Sequence, residues 1–187
     1  TKSVERAVEE VELLYHKYKK RYLVFTDDTW NVDQKWNEEF ADVLLERNLD
    51  LHWFAFMRAD FILRDEKAGI FKKLADAGLV HVGIGVERAF DDELRLLGKT
   101  GYSREKTKEC FNMLKERYPH VFKQATFVVG LRNETRETLL DQLKFAVEIG
   151  ADYPGFHPIT PVPGTPIWET ARERDLIEVD DFGQYDW

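Results

Sequence analysis

The chain has 187 residues, 43% of them apolar and 13% aromatic, enough to bury one substantial core, so a single domain is expected. Its 27 Lys and Arg stand against 35 Asp and Glu, and the net charge of -8 leaves no basic excess for a phosphate backbone, so nucleic acid is not expected as a partner. No apolar stretch approaches the ~20 residues of a membrane span, nothing at the start reads as a signal peptide, and the single cysteine, Cys110, allows neither an internal disulfide nor a CxxC metal site; a cytoplasmic protein is expected.

Val4, Ala7, Val8, Val11, Tyr15 and Tyr18 recur at intervals of three and four, one face of a helix. The apolar run from Tyr22 predicts a buried strand over 22–26. Asp33 is placed to cap a helix running to about Arg47, with Trp36, Phe40, Val43 and Leu44 inward, and LHWFAFM (51–57) follows as strand. The pattern then repeats. Asp65 is expected to open a helix carrying Ile70, Phe71 and Leu74, Gly78 suits the left-handed residue after its end, and VHVGIGV (80–86) is the next strand. A short helix near 91–97, with Asp91 and Asp92 as its caps, and a longer one from Ser103 to about Arg117 lead to ATFVVG (125–130). Asn133 is expected to cap a helix that Gly150 closes, YPGFHPI (153–159) is the last, proline-interrupted strand, and Thr165 can cap the segment after it. The acidic aromatic tail from Asp180 to Trp187 is expected to pass outside the fold.

Strand starts recur roughly every 30 residues, with one longer interval, the spacing of strand-helix-strand units. This is parallel α/β, and either a doubly wound sheet or a barrel wall fits it. In both architectures function gathers at the carboxyl ends of the strands. Those ends carry Thr26-Asp27-Asp28, then Arg58 and Asp60, then Glu87 and Arg88, then Gly130 and Asn133, then His157 and Thr160. Acids after a strand often cap the next helix, and Arg58 with Asp60 reads equally as a rim ion pair. Glu87 resists that reading, because the following helix already has its own acids. Three strings fail as motifs. GIGVER (83–88) has Arg88 where a dinucleotide fingerprint needs its third glycine, LGKT (97–100) lacks the first glycine of a phosphate loop, and Asn133-Glu134-Thr135 matters as a glycosylation triplet only in a secreted chain. Cys110, His52 and His81 read as structural residues.

Taken in order, VFTDDTW, FMRAD, VGIGVER, LLGKTGY, ATFVVGLRNET and ITPVPGTPIWETARERDLI resemble the successive core segments of radical S-adenosylmethionine (SAM) enzymes, over nearly the whole chain. The class most similar carries an N-terminal cobalamin-binding domain and is typified by anaerobic magnesium-protoporphyrin monomethyl ester oxidative cyclases. The resemblance implies a partial six-stranded (β/α) TIM-type barrel lacking its first strand, in one truncated domain over 1–187, with barrel units in 1–163 and a helix and tail in 164–187. It also implies SAM and a 4Fe-4S cluster as cofactors, leaves room for cobalamin in the parent protein, and brings a small-molecule substrate and an electron donor as partners. In the family, CxxxCxxC after the first strand holds three irons; here that segment would lie before Thr1, so this fragment alone should be inactive.

Residue by residue, the resemblance puts Thr26, Asp27 and Asp28 at the family's contact with the methionine amino group, where a carboxylate meets an ammonium. Glu87 matches a polar residue bonding the ribose or methionine moiety. Lys99 stands where many members have an arginine for the SAM carboxylate, though lysine lacks the bidentate fork. Thr126 occupies a ribose-side position, Val128 to Gly130 and His157 to Ile159 border the adenine, and Arg58 is added from its rim position alone. Without its first strand the sheet should expose an unpaired edge through which the fragment self-associates. Two rival readings accompany this one: a metal-dependent lyase or aldolase with Asp27, Asp28, Glu87 and His157 as ligands, and a cluster-free binding domain of the same fold.

Overall fold

Residues 2–99, 101–132, 134–179 and 183 are described by a computed structural model. In chain order the elements are α1 (Val4–Glu12), β1 (Tyr22–Val24), α2 (Gln34–Arg47), β2 (His52–Met57), α3 (Ala59–Lys67), α4 (Ile70–Asp76), β3 (Leu79–Glu87), α5 (Asp91–Leu96), α6 (Arg104–Arg117), β4 (Phe122–Val129), α7 (Arg136–Glu148), β5 (Tyr153–Pro158) and α8 (Pro166–Glu173). Every neighbouring strand pair is parallel and the order in the sheet is that of the chain. A doubly wound sheet reverses its order at a switch point, whereas crossovers of one hand between sequential strands put all the helices on one side and curl the sheet around the other. Five strands thus form a curled half-barrel, and the two architectures left open by periodicity are separated.

The core lies between the convex face of the sheet and the helices. Trp53, Ala55 and Met57 of β2, Val82, Ile84 and Val86 of β3, and Ala125 and Phe127 of β4 point into it and are buried, as are Phe40 of α2, Ile62 of α3, Phe71 of α4 and Phe111 of α6. Each of the larger aliphatic and aromatic side chains contributes about 1.5–3 kcal/mol by leaving water. Cys110 is buried on α6, and burial pushes its thiol pKa up. Gly78, at φ +97°, turns the chain from α4 into β3 where a Cβ would stand 2.0 Å from the Leu51 carbonyl oxygen, so only glycine fits.

Several predicted caps hold. Asp33 accepts the N–H groups of Lys35 and Trp36, and Thr165 that of Trp168; Ser103, expected as a helix start, accepts that of Lys106. Other expectations are corrected. β1 ends at Val24 rather than 26, and α1 gives way at Leu13–Lys17 to a π-helical turn before Tyr18. Asp65 does not open a helix: α3 starts directly after β2, and Asp65 lies buried near its end, accepting from Asn37 Nδ2 (2.9 Å) and paired with Arg64. α4 begins instead at Ile70, after Gly69 as its N-cap residue. Neither Asp91 nor Asp92 caps α5: both lie in its first turn, Phe90 stands at the N-cap without a side-chain hydrogen bond, and Asp91 accepts the Arg104 N–H. Thr135 caps α7 through a reciprocal pair with Thr138, while the cap expected of Asn133 lies outside the described residues, as does the tail except for Gly183.

Candidate functional site

Alternate residues of the same strands face the concave side, and the register sets them in rows. Val24, Phe54, His81 and Phe122 form one row near the amino ends, Phe56, Gly83, Gln124 and Tyr153 the next, and Gly85, Thr126 and Gly155 the third. The first two rows close the floor. Phe54 packs on Phe56 and on His81, with centroids 4.8 and 4.4 Å apart, and a Cβ on Gly83 would meet the Phe56 ring at 2.5 Å. With its hydrogen on Nε2, His81 donates to Gln124 Oε1 (3.1 Å) and accepts from Tyr22 Oη at Nδ1 (3.2 Å); burial holds its pKa below the ordinary value.

The third row is a trough. Gly85 and Gly155 flank Thr126, and the next lumen-facing residues lean back over the glycines. A Cβ on Gly85 would stand 2.7 Å from Glu87 Oε1, and one on Gly155 would stand 3.0 Å from His157 Nε2. The glycines therefore open space for the Glu87 carboxylate on one side and the His157 imidazole on the other. Glu87 ends β3 in a bulge, where the register jumps from Gly85–Thr126 to Glu87–Phe127 and φ is +65°. Its Oε1 lies 2.7 Å from Lys99 Nζ, and that ammonium stands 5.8 Å from the Tyr102 ring centroid. Thr126 Oγ1 donates to the Ile84 carbonyl (3.4 Å), the Ile159 N–H continues the pairing of β5 to the Val129 carbonyl (2.7 Å), and Gly130, at φ +83°, faces Ile159.

Thr26, Asp27 and Asp28 occupy a different part of the rim. Phe25 and Trp30 donate their N–H groups to the Phe54 and Phe56 carbonyls (2.9 and 2.8 Å). Buried Asn31 clasps the Arg58 backbone from both sides, accepting its N–H at 3.0 Å and donating to its carbonyl at 3.3 Å. Phe25, Trp30, Trp36, Phe40 and Trp53 pack beneath with centroids 5.0–6.0 Å apart. The intervening residues are thereby pushed out, leaving both aspartates exposed and, among the described residues, without a cationic partner. A cleft of about 950 Å³ runs from Thr26 and Asp27 along the edge strand β1 and under α1. It includes none of Glu87, Lys99, Thr126 or His157, so this cleft and the trough are separate features.

Arg58 is engaged locally. Its guanidinium makes a two-pronged pair with Asp60 (3.0 and 2.9 Å) and lies between the Phe61 and Tyr102 rings at 4.7 and 4.8 Å; the Asp60 contact raises its pKa. Tyr102 Oη accepts the Ala59 N–H (3.2 Å), and burial raises that phenol's pKa. Among the described residues no group of three or more His, Cys, Asp and Glu side chains could hold a metal ion, so Asp27, Asp28, Glu87 and His157 do not form one ligand set.

The radical SAM superfamily model matches residues 1–146. The chain belongs to the radical SAM superfamily. It is 31% identical over 184 residues to the anaerobic magnesium-protoporphyrin IX monomethyl ester cyclase of Rubrivivax gelatinosus, covering 98% of this chain and 32% of that one. An uncharacterized methyltransferase of Pyrococcus horikoshii is 30% identical over 175 residues, covering 94% and 37%. The chain thus spans about a third of the length of these curated relatives. Among solved structures, the cobalamin-dependent radical SAM enzyme OxsB, with aqua-cobalamin and SAM bound, superposes with a TM-score of 0.66 at 18% identity, covering 92% of this chain and 26% of that one. Coproporphyrinogen III oxidase of Escherichia coli gives 0.62 at 15%, covering 94% and 47%. Both show the partial barrel fold.

Membership in the radical SAM superfamily implies SAM and a 4Fe-4S cluster, and these residues fit the two unequally. SAM is zwitterionic at one end and a nucleoside at the other; a trough cleared by two glycines and bordered by a carboxylate, an ammonium, a hydroxyl and an imidazole matches that chemistry. The cluster has no fit, since the one cysteine is buried in the helix layer with a raised pKa. Sequence reading missed Gly155, Asn31, Tyr102 and the Arg88 contacts. A glycine inside a strand does signal close approach, and Gly155 could have been found that way.

Proposed function

We propose that this chain is the SAM-binding wall of a radical SAM enzyme of oxidoreductase type, and that the whole protein is a porphyrin-type oxidative cyclase of the cytoplasm. The observation that carries the reading is the Gly85–Thr126–Gly155 trough, with Glu87, Lys99 and His157 leaning over it, at the carboxyl ends of strands in a chain of this family. The cyclase name comes from the Rubrivivax gelatinosus relative. In the parent protein, reductive cleavage of SAM supplies a 5′-deoxyadenosyl radical that takes hydrogen from a small-molecule substrate, with a separate electron donor.

The residues here bind and orient. Asp27 and Asp28 offer acceptors to the methionine ammonium, Lys99 a point charge to its carboxylate, and Glu87 and Thr126 acceptors to the ribose hydroxyls. Val128, Ile159 and the Gly130 backbone form an apolar border for the adenine with His157 at its edge, while the aromatic floor excludes water from below. Arg58 contributes through its backbone, which the Asn31 side chain clasps and so ties to the loop that holds the aspartates. Without cluster ligands the chain alone is inactive in SAM cleavage, and its edge strand β1, with Tyr22 and Val24 exposed, makes self-association its expected state.

Equilibrium dialysis with labelled SAM tests the reading. Saturable binding that S-adenosylhomocysteine displaces and Glu87→Gln weakens about tenfold, equivalent to about 1.4 kcal/mol, supports it. No saturation at millimolar SAM, or indifference to Glu87→Gln, counts against it. Dithionite and SAM should yield no 5′-deoxyadenosine with this chain alone, and a strictly monomeric light-scattering profile at micromolar concentrations would remove the self-association.

A further inference from the structure

Among the described strand residues, Glu87 alone combines a side chain with a left-handed backbone, at φ +65°. Such a conformation disfavours any residue with a Cβ and persists only where the surroundings impose it. The residue that follows supplies the constraint. Arg88 is wholly buried, and its guanidinium makes four hydrogen bonds: Nε and Nη2 donate to Glu93 at 2.8 and 2.9 Å, and Nη1 donates to Glu134 at 2.5 Å and to the Val128 carbonyl at 2.8 Å. Its own N–H closes back on the Val86 carbonyl at 2.8 Å, and the Ala89 N–H is held by Gln142 at 2.6 Å. Glu134 in turn accepts the Gly130 N–H. One buried cation therefore ties the end of β3 to α5, to the end of β4 and to the loop before α7.

Two demands meet at the residue between. Arg88 must reach two carboxylates and a carbonyl beyond the strand end, while the Glu87 carboxylate must lie over Gly85 beside Lys99. We infer that Arg88 is a positioning residue: its buried pairing with Glu93 and Glu134 holds Glu87 in the left-handed bulge and so aims the Glu87 carboxylate into the trough. The inference rests on the reading of Glu87 as a SAM contact. Lysine could not replace Arg88, because a single ammonium cannot span Glu93, Glu134 and the Val128 carbonyl together.

The test compares Glu87→Gly with Glu87→Ala. Both variants lose the carboxylate, so their difference in melting temperature reports the backbone alone. With Arg88 present, glycine relieves the left-handed strain and should melt about 2–4 °C above alanine. In an Arg88→Met background, or in Glu93→Gln if Arg88→Met does not fold, the bulge relaxes. Glycine then only adds unfolded-state entropy, and alanine should be the more stable. A Gly–Ala difference of the same sign and size in every background overturns the inference. SAM dialysis separates it from the reading it rests on: Arg88→Lys should weaken SAM binding as much as Glu87→Gln, with little further loss in the double variant, and full SAM affinity in Arg88→Lys also overturns the inference. If the unaltered chain binds no SAM, the site reading falls, while the melting comparison still decides whether Arg88 sets Glu87.

Discussion

The two faces of one sheet are built from alternate residues of the same strands, yet they are chemically opposite. On the convex face Trp53, Ile84 and Phe127 are wholly buried against helices, whereas on the concave face the matching rows pass from an aromatic floor to glycines, a threonine and partly exposed charges. The convex residues hold the strands in register, and the concave ones use that register to bring Gly85, Thr126 and Gly155 side by side. Stability and binding are thus separable by a shift of one residue along a strand.

Substitutions on each face should break that division in different ways. Trp53→Ala has the largest effect, since Trp53 fills the core and donates Nε1–H to the Ala77 carbonyl at 3.1 Å; urea unfolding should show a loss of about 3–5 kcal/mol. Gly85→Val should act the other way. Its side chain would press on the Glu87 carboxylate, so SAM affinity should fall by at least about tenfold, while the urea midpoint moves far less than in Trp53→Ala. Equal loss of stability in the two variants would show that the faces are not separable.

The smallest effect is a pH dependence at the floor. Burial depresses the His81 pKa, so as pH falls the unfolded chain takes up a proton before the folded one. Stability is full above about pH 6.5, the ordinary histidine value, and declines as pH drops through it toward the lower folded value. His81→Phe should flatten this part of the stability profile. An unchanged slope would mean that His81 titrates alike in both states.

Much of the fold was legible because its signals are local. Asp33, Ser103 and Thr165 cap helices whose N–H groups lie two or three residues away, and short apolar runs marked β2 and β3 as strands. Asp65 misled because its partner Asn37 lies 28 residues earlier, and the extra residue at Glu87 follows from a bulge that no sequence period encodes. In the candidate site, Glu87, Lys99, Thr126 and His157 were named from strand ends and family strings. What made the site concave, glycines of β3 and β5 level with Thr126 on the strand between them, depends on register. Arg88 shows the same limit: Glu134, 46 residues on, helps turn a residue that merely spoiled a glycine motif into the tie between four segments.

The sequence by itself determined a parallel α/β chain of repeating units, the helix starts at Asp33, Ser103 and Thr165 and a rim of polar strand ends, because propensity, capping and periodicity act over a few residues. The partial barrel implied by the family strings is borne out by the strand order, and only the tertiary structure decided that Asp27 and Asp28 stand apart from the trough and that Glu87 bends left-handed over Gly85. Those outcomes rest on strand order, register and buried ion pairs between residues distant in the chain, which form only when the whole core closes.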